Sequence, residues 1–117
     1  NRKQNSISEN PFMLTDRIFV RHKNSMVKIL VSDILYIEAE RNYARIFTKN
    51  KEYVLTMTLK TMEEKLPSAH FLRIHRSFMI NVSQIEKVNE GSVVINGKVI
   101  PLGKTQKDDL LARVKLI

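Results

Sequence analysis

Residues 71–82 read FLRIHRSFMINV. Phe71, Leu72, Ile74, Phe78, Met79, Ile80 and Val82 are large and apolar, the makings of a core. Between the two apolar halves stand His75, Arg76 and Ser77, hydrogen-bonding side chains with no acidic neighbour. Polar groups and charges lose free energy on leaving water unless something pairs with them. Two resolutions exist. A carboxylate from elsewhere in the chain satisfies the island, or the island faces an anion from outside. In the second case Phe71, Ile74, Phe78 and Ile80 anchor a loop whose tip, His75-Arg76, is held outward.

The composition favours an outside anion. Twenty Lys and Arg stand against twelve Asp and Glu in 117 residues, a formal net charge of +8 and a pI near 9.9. A small basic domain suits a polyanionic partner, nucleic acid before membrane. The chain has no cysteine, which excludes disulfides and thiolate metal sites and fits a reducing compartment. No apolar run approaches the roughly 20 residues of a membrane-spanning helix, and the N-terminus lacks a signal-peptide core. The expectation is a cytoplasmic protein whose domain makes no membrane contact. Residues 1–13 (NRKQNSISENPFM) read as a linker or tail, leaving 14–117 as one folded domain. A chain that begins in linker looks like the output half of a longer protein.

Short β-favouring runs dominate the rest. They fall at 17–21, 26–31, 34–39, 43–48 and 52–56, with turns at Lys23-Asn24-Ser25, Glu40-Arg41-Asn42 and Lys49-Asn50-Lys51. Ile34 to Ala39 is the most apolar and should be central. Thr58 is a suitable N-cap for a helix carrying Leu59, Met62 and Leu66 on one face, stopped by Pro67. Asn96-Gly97, between Ser92-Val93-Val94-Ile95 and Lys98-Val99-Ile100-Pro101, supplies the positive φ pair of a tight hairpin. A last helix is expected from Thr105, with Asp108 in capping-box-like spacing and Leu110, Leu111 and Val114 as its apolar face. The fold class is mostly β: seven or eight short strands in small antiparallel sheets, with two short helices.

Catalytic and metal chemistry find little support. No Gly-x-Ser-x-Gly elbow exists, and His22, His70 and His75 show no zinc-ligand spacing. Glu63-Glu64 and Asp108-Asp109 read as solvated helix charge, and the three glycines make no phosphate-binding loop. No enzyme and no cofactor are expected. Three polar connections between apolar runs carry the positive signal: Glu40-Arg41-Asn42-Tyr43, His75-Arg76-Ser77 and Gly103-Lys104-Thr105-Gln106. Forked Arg and Asn side chains match guanine and adenine edges, while His, Ser, Thr, Lys and a helix N-terminus suit phosphates. The aromatic residues sit mostly within apolar runs, which argues against a base-stacking platform for single strands. A protein-interaction module with incidental basic charge and an RNA-binding β domain remain the alternatives.

The residues also carry a resemblance. Asp33-Ile34-Leu35-Tyr36-Ile37-Glu38-Ala39 with Asn42-Tyr43, then Thr58-Leu59 with Met62-Glu63 and Leu66-Pro67, resemble a LytTR-type DNA-binding domain. So do the FxRIHRSFMIN block of residues 71–81 and Ile100-Pro101-Leu102-Gly103-Lys104, in the family's order over about residues 15–115. The resemblance implies an elongated β fold serving as the output domain of a bacterial transcription regulator of the response-regulator type. It implies an attached receiver domain, loops inserted into successive major grooves, promoter direct repeats as the duplex target, and a dimer on DNA. By position, the contacting loops fall on Arg41, Asn42, Tyr43 and Ala44; on His75, Arg76 and Ser77; and on Lys104 and Thr105. Gly103-Lys104-Thr105 departs from the family's Ser-Arg-Arg pattern, which removes a forked guanidinium there. Arg73 is expected to be structural, paired with a carboxylate such as Glu38 and facing away from Arg76. Tyr43 is expected to anchor its loop in the core.

Overall fold

The computed structural model describes residues 12–117. The tail assigned to residues 1–13 therefore falls outside it apart from Phe12 and Met13, both exposed. A hairpin comes first, β1 (Arg17–His22) and β2 (Ser25–Leu30), turning on Lys23 and Asn24 alone. Ser25, read as turn, is already in the strand opposite His22. A 3-10 turn over Val31–Asp33 leads to β3 (Ile34–Glu40), β4 (Tyr43–Thr48) and β5 (Glu52–Leu55). Helix α1 (Leu59–Lys65) follows, its Thr58 side chain accepting the Thr61 amide as predicted for the N-cap. Then come β6 (Phe71–His75), β7 (Phe78–Asn81), a 3-10 turn over Val82–Gln84, and β8 (Lys87–Val88). Strands β9 (Ser92–Ile95) and β10 (Lys98–Pro101) and helix α2 (Lys104–Leu111) complete the chain. Asn96 and Gly97 take φ 51° and 79° between β9 and β10, the turn expected of Asn-Gly.

The architecture is mostly β as expected, with ten strands among the described residues rather than seven or eight. The additional strands arise because run 71–82 folds back on itself at Arg76-Ser77, and because Lys87–Val88 pairs briefly with β9. Five strands form an antiparallel sheet in the order β5-β4-β3-β7-β6, placing the apolar β3 at its centre. Hairpin β1-β2 and a three-stranded sheet β10-β9-β8 complete the set.

Pleating divides the core in two, since alternate residues of a strand face opposite sides. On one face Ile37, Ile46, Tyr53 and Met79 meet Leu59, Met62 and Leu66 of α1 and Val20 and Ile29 of the hairpin. On the other, Tyr36 and Ile80 meet Val93, Ile95, Ile100 and Leu110. Tyr36 stacks on Phe47 with ring centroids 4.4 Å apart. Burial, and then the nearby Glu38 and Glu52, push its phenol above the usual value.

Asn81 is the buried polar residue among the described core, and it is fully satisfied. Its Nδ2 donates to the carbonyls of Val31 and Ile34, each at 2.9 Å, while its Oδ1 accepts from the Ser83 amide and hydroxyl. One side chain thus ties the end of β7 to the start of β3.

Helix α2 departs from expectation. It begins at Lys104 with Gly103 as N-cap, so Thr105 lies inside the first turn and makes no capping box. Of its proposed apolar face only Leu110 is buried; Leu111 is exposed and Val114 lies beyond the helix. The backbone bond from Gly103 to the Ile74 carbonyl, 2.8 Å, explains the early start: the helix is set down against the end of β6.

Candidate nucleic-acid interface

Antiparallel pairing decides where the polar connections emerge. Glu38 lies opposite Phe78, so the turn leaving β3 (Arg41-Asn42) and the turn entering β7 (Arg76-Ser77) emerge at the same end of the sheet. The Ala39 amide donates to the Ser77 carbonyl at 2.8 Å, joining the two turns. The Gly103–Ile74 bond joins the second turn to the start of α2. Two backbone hydrogen bonds therefore set all three connections in one row. With strands about 4.8 Å apart, the first two turns stand roughly 10 Å from each other.

In the first turn Arg41 holds φ 58°, a conformation that L residues seldom adopt and that costs about 1 kcal/mol or more. Arg41 and Asn42 are exposed. Tyr43 is 47% exposed, so it is a surface residue rather than the core anchor expected of it. Ala44 is fully buried among the core residues. It has no surface to offer a groove, because it follows Tyr43 on the opposite side of the pleat.

The second turn is built most firmly. Arg73 Nη2 donates to the Arg76 carbonyl at 2.6 Å, and its Nε reaches the His75 carbonyl at 3.4 Å. The same guanidinium lies 3.7 Å from Glu63 of α1. Arg73 is structural, as expected, but its carboxylate is Glu63 and not Glu38. Residues 73 and 76 do not oppose each other along one strand either; Arg76 lies in the turn where the chain reverses. Ser77 presents its amide to His75 Nδ1 at 3.1 Å. Arg76 itself is exposed, and His75 and Ser77 are half-buried beneath it.

The third connection presents Lys104 and Thr105, both exposed, on the first turn of α2. Glycine at the N-cap supplies no side-chain acceptor, so the first amides of the helix are left without a side-chain cap. Such amides, with the positive end of the helix dipole, favour an anion.

The ion pairs of the described residues engage Arg17, Arg45, Arg73 and Lys107, and none engages Arg41, Arg76 or Lys104. Arg45 is the informative contrast. It binds Glu40 through two bonds of 2.8 and 3.0 Å, and Glu52 at 2.9 Å. The Arg45 guanidinium beside Glu40 holds that carboxyl below the usual carboxylate range. The acid next to Arg41 is thereby neutralised, and the row of cations keeps its field. Among the described residues no group of His, Asp and Glu gathers in metal-binding geometry.

A protein-family model for the LytTr DNA-binding domain matches residues 24–115. The chain belongs to the LytTR DNA-binding domain family. Its relatives include the sensory transduction protein LytT of Bacillus subtilis, 29% identical over 92 residues. That alignment covers 74% of this chain and 38% of LytT. The transcriptional regulatory protein YpdB of Escherichia coli K12 is 36% identical over 58 residues, covering 50% of this chain and 24% of YpdB. The LytTR domain thus spans well under half the length of the curated relatives it matches. In fold it resembles the solved LytTr DNA-binding domain of a Bacillus cereus response regulator, at TM-score 0.67 and 21% identity. That match covers 82% of this chain and 96% of the other.

Eight of the nine residues singled out from the sequence lie on the edge of this LytTR domain, and Ala44 does not. Arg73 was read from the sequence as structural, and the structure adds that it supports the site, through the carbonyls of His75 and Arg76. The connection of residues 56–58 also emerges at this end, because Leu55 pairs with Ala44. It was not among the predicted loops.

Proposed function

We propose that this edge binds duplex DNA sequence-specifically, and that the domain is the output module of a cytoplasmic transcription regulator of the response-regulator type. The observation that carries the reading is the row of Arg41, Arg76 and Lys104, on connections joined by backbone hydrogen bonds and in no ion pair among the described residues, while neighbouring cations are committed. Arg76 and Arg41 read or clamp base edges, with Asn42, His75, Ser77 and Tyr43 beside them. Lys104, Thr105 and the amides of α2 hold phosphate. Insertion of these loops into successive major grooves belongs to the same reading. Tyr36, Tyr53 and Phe71 are buried in the core and are not available to stack on bases. A receiver domain elsewhere in the full-length protein, a folded unit over residues 14–117, and a dimer on promoter direct repeats belong to the same proposal.

Fluorescence anisotropy on a duplex selected from a random library tests it. Arg76→Ala should weaken specific binding by about 1–3 kcal/mol, and Lys104→Ala should lower the salt slope by about one. Parental binding by both variants would refute the assignment.

A further inference from the structure

We infer that His75 serves this interface as a dedicated hydrogen-bond donor, presenting Nε2–H to an acceptor atom of the DNA. The acceptor is a phosphate oxygen or the N7/O6 edge of a purine. The inference rests on the DNA-binding reading of this edge and adds to it the polarity of one contact.

The Ser77 backbone amide stands 3.1 Å from His75 Nδ1. A backbone N–H can only donate, so Nδ1 must accept and can carry no proton. In a neutral imidazole the single proton is then on Nε2. The ring has little freedom to turn Nδ1 away from that amide. It is half-buried and packs against Phe78, centroids 5.9 Å apart and planes tilted by 56°. The backbone on which it turns is held from both sides, by Arg73 at the carbonyls of residues 75 and 76, and by Ala39 at the Ser77 carbonyl. Among the described residues nothing accepts a hydrogen bond from Nε2. A fixed imidazole on a row of cations, its acceptor nitrogen consumed by its own turn, presents donor character alone. Histidine in general can meet either a donor or an acceptor; this one is restricted to acceptors. It therefore suits phosphate oxygens and the N7/O6 edge of a purine, and it rejects the exocyclic amine of cytosine.

Two measurements test this. In the uniformly ¹⁵N-labelled free domain, two-bond nitrogen–proton correlations of the neutral ring are expected to place the proton on Nε2. A proton on Nδ1, or averaging between the two, overturns the inference. His75→Asn keeps an acceptor at the position of Nδ1, so the turn survives, and removes the donor beyond it. Its affinity for the selected duplex should fall about tenfold. That loss should vanish on a duplex carrying either a methylphosphonate at one backbone position or, at one base, an analogue lacking the acceptor, 7-deazapurine for N7 and 2-aminopurine for O6 of guanine. The substitution that cancels it identifies the source of the acceptor. Parental affinity in His75→Asn, or a loss that neither substitution cancels, overturns the contact. If Arg76→Ala and Lys104→Ala also bind as the parent does, the DNA reading of the edge falls as well. If they weaken and His75→Asn does not, only the role of His75 falls.

Discussion

Replacing Arg73 by methionine keeps the apolar stem and removes the guanidinium that grips the turn below Arg76. The 2.6 Å bond to the Arg76 carbonyl is charge-assisted, a class that contributes about 1.5–3 kcal/mol when shielded. Arg73 retains 30% side-chain exposure, so about 1 kcal/mol is the better figure here. The 3.4 Å approach to His75 and the 3.7 Å pair with Glu63 add about half a kcal/mol together. The fold should therefore lose about 1–2 kcal/mol, read as a lower Tm by circular dichroism. The larger consequence is for binding. A turn no longer held must be ordered by the DNA, and ordering one residue's backbone costs about 1–2 kcal/mol, or about tenfold in affinity. The salt slope should not change, because the Arg73 guanidinium is committed to the turn's carbonyls and Glu63 and neutralises no phosphate. Anisotropy over a salt series separates the two roles. A slope lower by about one would show that Arg73 touches phosphate directly. Parental affinity with a lower Tm would show that the clamp serves the fold and not the site.

Three further outcomes are expected. Arg41→Gly removes a side chain from the interface while relieving the positive φ, about 1 kcal/mol largely offset by glycine's unfolded-state entropy; DNA affinity should fall about tenfold with Tm within a few degrees of the parent, and a large drop in Tm would contradict this. Arg45→Gln frees the Glu40 carboxylate beside the first turn and should weaken DNA binding about twofold at low salt, by Coulomb repulsion at roughly 10 Å. Adding Glu40→Gln should restore it, and failure of that rescue would count against the electrostatic role. Asn81→Asp exchanges a donor between two carbonyls for an acceptor and should destabilise the fold by about 3–5 kcal/mol near neutral pH. The buried carboxyl would be easier to protonate folded than unfolded, so the penalty should shrink as pH falls. Chemical denaturation at two pH values reads this, and a penalty that grows in acid would refute it.

Much of the fold was legible because its signals are local. Asn96-Gly97 specifies its turn by φ alone, Thr58 caps α1 through a bond three residues long, and Pro67 follows the helix it ends. The apolar character of Ile34 to Ile37 placed β3 at the centre of its sheet. Misreadings fell where a neighbour in space outweighed a local preference. Gly103 became the cap of α2 because its amide is bonded to Ile74, and Tyr43 turned outward because Ala44 took the core side of β4.

By itself, the sequence determined three short polar connections that carry cations, each between apolar runs that must be buried. Only the tertiary structure decided that they lie together. Connections far apart in the chain become neighbours through the pairing of β3 with β7 and the seating of α2 on β6, contacts that no local pattern encodes. The same long-range packing chose the partners of the arginines. Arg45 was drawn to Glu40 and Glu52 across adjacent strands, Arg73 was turned onto its own loop, and Arg41 and Arg76 were left to face outward. Charge is a property of the chain, whereas which charge stays unpaired depends on the distances set when the sheet closes.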